Sequence, residues 1–149
     1  MLKPKLSSLV EGQIIVSLPR ASEKYGPISH YYVIVVPNIT YSSGHYPNTQ
    51  DLLTYSRTIS DDNYDTPIGK PYIAAKFSWQ SVKTFFVLGN ELNYGGFINH
   101  RLRRDTYYKV FVRAFVDNRQ NNVYTSSPYS TELSINMSPP DSPQPQFSK

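Results

Sequence analysis

Cysteine and histidine, the residues most often used for nucleophilic and metal chemistry, are scarce in this sequence. None of the 149 residues is a cysteine, so the chain has no thiol nucleophile, no disulfide and no thiolate metal ligand. The histidines are His30, His45 and His100, and their spacing is not that of a zinc site. We therefore expect separate polar histidines and no metal or other cofactor.

The acidic and serine-containing stretches do not complete a catalytic or calcium-binding motif. Asp61-x-Asn63-x-Asp65 begins like a calcium loop. Thr66, however, stands where a glycine is required, and Tyr72 where the bidentate glutamate belongs. The serines lack the Gly-x-Ser-x-Gly elbow of a hydrolase. The sequence favours a non-enzymatic chain, and a hydrolase stays open only as an alternative without a designated nucleophile.

A group of basic side chains near one predicted strand is a candidate polyanion-binding face. Its members are Arg101, Arg103, Arg104, Lys109 and Arg113. Because Tyr107 and Phe111 are interleaved with them, an outward face of this kind suits heparan sulfate or an acidic protein partner. The alternative is that the strand simply turns its polar residues to water.

Overall charge and hydropathy limit the partners of the chain. The net charge of +4 is spread along the sequence, and no basic run exceeds the RLRR string at 101–104, so we expect no nucleic acid partner. No apolar run reaches the roughly 18 residues needed to cross a bilayer, and the N-terminal residues lack the apolar core of a signal peptide. We expect a fragment of a longer protein.

The composition of the chain, with 39% apolar and 14% aromatic residues, suits one packed β domain.

The element that must position the basic side chains is a predicted central strand within residues 102–114. One set of alternating positions holds Lys109, Phe111 and Arg113, and the other holds Tyr108, Val110, Val112 and Ala114. Such alternation is typical of a strand packed on one face. The spacing of Leu102 and Tyr108 is that of a tyrosine corner, in which the tyrosine hydroxyl bonds to upstream backbone. The sequence thus predicts an all-β, immunoglobulin-like antiparallel sandwich.

The N-terminal half of the predicted domain contains two strands and a long insertion. Residues 1–8 read as an irregular lead-in. Residues 13–18 and 28–36 are predicted strands, which we expect to pair across the polar loop at 20–27, the second being buried on both faces. The polar stretch at about 37–70 is too poor in apolar residues to bury a core of its own, so we interpret it as a mobile insertion in which 51–55 could form one helical turn or dock back.

The C-terminal half continues the strand pattern and ends in a tail. Strands are expected at 71–77 and 84–88, then a bend through glycines into a strand ending at Leu102. A hairpin loop at 117–122 and an edge strand interrupted at Ser127-Pro128 follow. The domain therefore spans 1–136, and 137–149 is a Pro-rich linker. Asn38 and Asn136 begin sequons, which are glycan acceptors if the chain is secreted.

Several segments, taken in order, resemble the membrane-proximal, fibronectin type III-like extracellular region of LAR-type receptor protein tyrosine phosphatases. They are GPISHYYVIVVP, PYIAAKF, FVLG, YGGFIN, the L-x5-Y-x-V-x-V-x-A spacing and YTSSPYS. The resemblance implies a neuronal cell-surface receptor acting in adhesion and axon guidance. Its implied partners are the other extracellular domains of the receptor and a surface protein or glycosaminoglycan, with a transmembrane helix beyond this chain. The phosphatase chemistry would belong to absent intracellular domains, because it needs a cysteine thiolate.

The resemblance also implies a polybasic processing site in the insertion, and the sequence departs from the family there. The only arginine or lysine between 38 and 69 is Arg57. A family member that lacks the usual processing site, such as an insect one, would fit this departure. The nearest processing-like string is RLRR at 101–104. We interpret that string instead as the solvated turn of the tyrosine corner, because a protease needs an extended segment and Leu102 is needed in the core. If the insertion is cut, strand pairing should hold the halves together.

Overall fold

A computed structural model describes residues 1–10, 13–24, 26–37, 45–57, 69–117 and 123–136. Within these ranges the chain forms nine strands and a single helix. In chain order they are β1 (Lys5–Val10), β2 (Gln13–Ser17), β3 (Ile28–Pro37), α1 (Thr49–Arg57), β4 (Tyr72–Ser78), β5 (Phe85–Leu88), β6 (Asn93–Tyr94), β7 (Phe97–Ile98), β8 (Tyr108–Val116) and β9 (Tyr124–Ser126). None of the described helices is long and apolar enough to span a membrane.

Two antiparallel sheets form a fibronectin type III-like sandwich, which confirms the all-β prediction. One sheet has the strand order β1-β2-β5, and the other has the order β4-β3-β8-β9, while β6 and β7 form a small separate hairpin. Strand β8 lies between β3 and β9, so the predicted central strand is an interior strand. The inner faces of both sheets meet in one apolar core that includes Val33, Val112 and Phe86.

The N-terminal strands are arranged differently from the sequence-based prediction. Residues 5–8 belong to the stretch 1–8 that was expected to be irregular, yet they are part of β1, which pairs with β2 from Lys5 opposite Ser17 to Val10 opposite Gln13. Strand β2 does not pair with β3; it pairs with β5. The buried side chains of β2, Ile14 and Val16, cover the core from the opposite sheet. The connection at 18–27 therefore crosses between sheets.

Strand β3 is buried on both faces, as its continuous apolar run predicts. Val33 and Val35 belong to the inner core, whereas Ile34 and Val36 belong to a second apolar cluster on the outer face. Leu52 of helix α1 completes that outer cluster and is fully buried. Part of the predicted insertion is therefore packed onto the sheet.

Helix α1 is longer than the single turn expected at 51–55; it is capped at its start and bonded to β4 near its end. Asn48 caps the helix, because its side-chain Oδ1 accepts a 2.7 Å hydrogen bond from the Asp51 N–H. At the other end the Ser56 hydroxyl accepts a 3.1 Å bond from the Ile73 N–H of β4. The remaining insertion residues, 38–44 and 58–68, lie outside the described residues. The predicted mobility of the insertion therefore stays a prediction for those residues.

The glycines at 95 and 96 make a tight hairpin, and the strand that follows them ends at Ile98, earlier than predicted. Both glycines have positive φ, 65° at Gly95 and 97° at Gly96, which suits a two-residue hairpin turn. A Cβ on Gly95 would lie 2.5 Å from the Lys76 carbonyl oxygen. The hairpin thus approaches the backbone of edge strand β4 closely.

Beyond β9 the chain continues along β8 with side-chain hydroxyls in place of some ladder bonds. Ser127 and Ser130 accept hydrogen bonds of 2.9 Å from the N–H groups of Val112 and Val110. Strand β9 is therefore a short edge strand that ends before Ser127-Pro128, where the sequence predicts an interruption. The predicted loop at 117–122 is described only at Asp117, and the predicted linker at 137–149 lies outside the described residues.

Candidate functional site

The three histidines have separate environments. The His30 ring stacks on Phe115, with 4.6 Å between centroids. His100 is 4% exposed and meets Tyr72 edge-on, and the backbone carbonyl of His45 accepts a bond from the Tyr129 hydroxyl. In the part of the chain that the structure describes, no three histidine or carboxylate side chains gather to hold a metal ion. The Asp61–Asp65 stretch lies outside that part.

Burial favours the neutral form of two of these imidazoles. It lowers the pKa of His30 below its ordinary value, and the positive charge of Lys76 lowers it further. It also lowers the pKa of His100, although the Glu91 carboxylate acts in the opposite direction. The His30 Nδ1 lies 3.0 Å from the hydroxyl of the adjacent residue Ser29. Because both imidazole rings pack against aromatic side chains, we assign both histidines a packing role.

The tyrosine corner has the geometry that the spacing predicts. Leu102 and Tyr108 are 3% and 2% exposed. The Tyr108 hydroxyl accepts a 2.9 Å hydrogen bond from the Arg103 N–H, which fixes the turn between them. The main chain of Tyr108 also pairs with Leu133 in both directions, at 2.7 Å each. The corner therefore joins the turn, strand β8 and the C-terminal segment.

The arginines of the RLRR string belong to this folded turn. Arg101 pairs with Glu91 at 3.3 Å and Arg103 with Asp105 at 3.5 Å, both pairs being exposed. The Arg104 carbonyl accepts a 2.6 Å bond from the Asn136 side chain. With Leu102 in the core, the string is not the extended, accessible segment that a processing protease requires.

Arg113 is buried, so the predicted outward basic face is wrong at this residue. It is 1% exposed, and its guanidinium donates three bonds of about equal length: Nε to Ser126 Oγ at 3.0 Å, Nη1 to Thr49 Oγ1 at 3.0 Å, and Nη2 to the Pro47 carbonyl at 2.9 Å. It also lies 4.4 Å from the Tyr124 ring centroid. Burial lowers the pKa of Arg113, yet an arginine stays protonated in proteins.

The reason for this burial is that residues 45–57 of the insertion pack on the outer face of the four-stranded sheet. Lys109 is half-buried on the same face, 5.8 Å from the Tyr129 ring centroid. Arg101, Arg103 and Arg104 lie instead on the exposed corner turn. The five basic residues are thus divided between a covered sheet face and a turn.

Residues 45–57, which we call the docked segment, are clamped to the C-terminal part of the chain. The Tyr46 and Tyr129 rings stack with 4.7 Å between centroids. The Tyr46 hydroxyl donates to the Ser127 carbonyl at 3.1 Å, and the Tyr129 hydroxyl donates to the His45 carbonyl at 2.6 Å. No spacing in the sequence predicts this clamp. Asn48 followed by Asp51 is a helix-capping pattern and indicates only the helix beside it.

A groove of about 570 Å³ lies between α1, β4 and the β6–β7 hairpin. Its polar lining includes Ser56, Lys76 and His100, beside the aromatic rings of Tyr32 and Phe97. The described lining holds no carboxylate and no base paired with a nucleophile. The groove therefore has no arrangement suited to acid–base or nucleophilic catalysis.

One of the two sequon asparagines, Asn136, lies in the described part of the chain. Asn136 is exposed, and its Nδ2 donates to the Arg104 carbonyl. A glycosylated asparagine keeps one hydrogen on Nδ2, so this bond is compatible with a glycan. Asn38 lies outside the described residues.

Comparison with known proteins identifies the relatives of this chain. No protein-family model matches it. The chain is 44% identical over 141 residues to Tyrosine-protein phosphatase Lar of Drosophila melanogaster, an alignment covering 92% of the chain and 7% of the fly protein. It is 29% identical to Receptor-type tyrosine-protein phosphatase F of Danio rerio and 26% identical to the Lar-like protein of Caenorhabditis elegans, over 83% and 88% of the chain.

The chain thus spans less than a tenth of the length of these curated relatives. Its alignment with the fly protein agrees with the sequence resemblance, and its sandwich has no cysteine with which to perform phosphatase chemistry. The chain belongs to the LAR-type receptor protein tyrosine phosphatases, as a portion of such a protein outside its catalytic phosphatase domain.

Proposed function

We propose that the chain is a non-catalytic, extracellular, membrane-proximal module of a receptor-type tyrosine phosphatase that acts in cell adhesion and axon guidance. In this role it is a stiff spacer that connects outer domains to a single transmembrane helix. The proposal rests on the kinship with receptor phosphatases and on the sequence resemblance to their membrane-proximal region. The Pro-rich residues 137–149 are the stalk towards the membrane in this proposal.

The observation that carries the spacer role is the path of the chain through the sandwich. Strand β1 starts opposite the end of β2, at Lys5 and Ser17, whereas Leu133 lies beside Tyr108, where β8 starts. The described ends of the chain therefore leave at opposite poles. A ten-residue strand such as β3 is about 33 Å long. In this role the strands transmit tension between the two poles and fix the relative orientation of the segments attached there.

We also propose that, if the insertion is cut, the two halves of the domain stay associated. A cut within 58–68 would leave β3 on one fragment and its two partners, β4 and β8, on the other. The bonds from Arg113 to Thr49 and Pro47 would cross the same cut. Separating the fragments would expose both ladders and the core, so the two halves should stay associated.

The surface location is tested with an antibody raised against the purified chain. Cells producing the longer protein are stained with and without permeabilisation. Staining of intact cells is expected, while an antibody against the phosphatase domain stains only permeabilised cells. Staining that needs permeabilisation for both antibodies would refute the extracellular location.

Processing is tested on the same protein by electrophoresis. Two bands under denaturing conditions and one species under native conditions are expected if the insertion is cut. A single denatured chain would remove the processing role and leave the spacer role intact.

Glycosylation of Asn38 and Asn136 is a further expectation of an extracellular location. Each Asn→Gln variant of the secreted chain should migrate faster by one glycan, and glycosidase treatment should remove the difference. If the untreated wild-type chain and the double variant co-migrate, neither sequon carries a glycan.

A polyanion-binding role is not favoured, because the basic residues are not on one face.

A further inference from the structure

The walls of the groove between α1, β4 and the β6–β7 hairpin are joined by direct contacts. Tyr32 of β3 lies opposite Lys76 of β4 in the strand register, and its ring meets Phe97 of the hairpin edge-on, with 5.7 Å between centroids. The Ser56 hydroxyl joins α1 to the Ile73 N–H at 3.1 Å. The groove volume of about 570 Å³ is in the range of pockets that hold small ligands. The groove is therefore a preformed candidate binding site.

One polar side chain in this groove is almost completely buried and has no hydrogen-bond partner among the described residues. His100 lines the groove and is 4% exposed. Tyr72, a residue of the inner core, meets the imidazole edge-on at 5.2 Å between centroids. No hydrogen bond joins the imidazole nitrogens to any other side chain or backbone group that the structure describes. Because an unpaired polar group is costly to bury, a ligand that bonds to the imidazole removes this cost.

The charge of the groove favours an anionic ligand. Lys76 is an exposed member of its lining, and no ion pair engages the Lys76 ammonium within the described ranges. The described lining contains no carboxylate. The Glu91 carboxylate acts on His100 electrostatically, but it pairs with Arg101 at 3.3 Å. A positive charge without a described counter-ion therefore remains in the groove to attract an anion.

The apolar part of the lining limits the kind of anion that fits. It consists of two aromatic rings and three aliphatic side chains: Tyr32, Phe97, Leu53, Ile73 and Ile98. A compact inorganic anion would leave these groups without contact. An acidic side chain next to an apolar one, as a peptide presents them, contacts both the polar and the apolar groups.

We propose that this groove binds an acidic peptide segment of a partner protein, with a carboxylate towards Lys76 and His100 and a neighbouring apolar side chain against Tyr32 and Phe97. The Lys76 ammonium supplies the charge, and the imidazole N–H of His100 donates a hydrogen bond to the carboxylate. This binding role goes beyond the spacer role and does not depend on it.

Nuclear magnetic resonance of the isotope-labelled chain tests the site with a matched pair of peptides. The probe is acetyl-Phe-Glu-Phe-amide, and acetyl-Phe-Gln-Phe-amide differs from it only in lacking the charge. The acidic peptide should shift the His100 ring signals with a Kd of about 1 mM or below. The neutral peptide should bind at least about tenfold more weakly, because it cannot form the charge-assisted bonds.

A matched pair of variants identifies the charge responsible. Lys76→Gln removes the ammonium from the groove, and Lys83→Gln makes the same change at an exposed lysine outside its lining. The first variant should bind the acidic peptide at least about fivefold more weakly and the neutral peptide unchanged, whereas the second should change neither affinity. Thermal unfolding of both variants serves as the folding control.

Equal affinity for the two peptides would overturn the proposal, because the groove would then recognise only apolar groups. So would equal losses in the two lysine variants. Sodium acetate that shifts the His100 signals as far as the acidic peptide does, at the same concentration, would assign a site for simple carboxylates and refute a peptide site.

A chain in which residues 58–68 are replaced by a Gly-Ser linker tests whether the insertion itself occupies the groove. Without peptide, the His100 signals should be the same in this chain and in the wild type. A change in these signals, together with tighter peptide binding, would assign the groove to the insertion and overturn the proposal. All of these failures leave the spacer role intact, whereas failure of intact cells to stain would refute the spacer role and leave the peptide site untouched.

Discussion

The Arg113 guanidinium donates a 3.0 Å hydrogen bond to the Thr49 hydroxyl, joining the interior of the four-stranded sheet to a helix 64 residues earlier in the chain. With its bonds to Pro47 and Ser126, this residue fixes the docked segment on one side and the edge strand on the other. A residue with the sequence pattern of a surface cation is therefore a structural anchor for the insertion.

Replacing Arg113 by lysine should destabilise the domain. The ammonium keeps the positive charge but cannot reproduce three bonds in a planar arrangement. Because hydrogen bonds to charged groups contribute about 1.5–3 kcal/mol, we expect a loss of about 2 kcal/mol in urea unfolding, with faster amide exchange in α1. The exposed control Arg104→Lys should change stability by less than about 0.5 kcal/mol. Equal effects of both variants would show that Arg113 anchors nothing.

Two buried tyrosines allow the corner hydrogen bond to be measured. Tyr108→Phe removes the hydroxyl that accepts from the Arg103 N–H, and we expect a cost of about 1 kcal/mol. Tyr72→Phe makes the same chemical change where the buried hydroxyl has no partner in the described structure, so it should be neutral or stabilising. Chemical denaturation of both variants checks the difference, and an equal loss in both would contradict the assigned role of the corner bond.

Adjacent glycines in the β6–β7 hairpin should respond differently to alanine. At Gly95 a Cβ would meet the Lys76 carbonyl at 2.5 Å in addition to the positive φ, whereas at Gly96 no heavy atom lies within 4 Å. We expect Gly95→Ala to be more destabilising than Gly96→Ala by at least about 1 kcal/mol. Thermal unfolding of the two variants gives the comparison. The reverse order would mean that the hairpin does not approach β4 so closely.

Mild acid should destabilise the fold through His30 and His100. The folded protein lowers both pKa values from 6.5, mainly by burial. The unfolded chain therefore binds more protons below about pH 6.5, so the free energy of unfolding decreases as the pH falls from that value towards the folded-state pKa values. Unfolding in urea at pH 7.5 and 5.5 measures the change. In His30→Gln/His100→Gln the change should shrink, and an undiminished change would assign it to other groups.

The sequence by itself determined the sandwich and its corner. Alternation in 102–114 and the continuous apolar run of β3 reflect a local period that any sheet must satisfy, and the Leu102–Tyr108 spacing fixes a short turn. The absence of cysteine excluded thiolate chemistry without reference to any fold.

Only the tertiary structure decided which strands pair and which faces are covered. The pairing of β2 with β5, instead of β3, depends on a connection that crosses between sheets, and local composition does not encode that path. Arg113 alternates like an outward residue, yet it is buried because a distant polar segment supplies the oxygen acceptors of Thr49 and Pro47. Burial of a charged group depends on partners far away in sequence, so its role follows from contacts that no spacing in the chain could reveal.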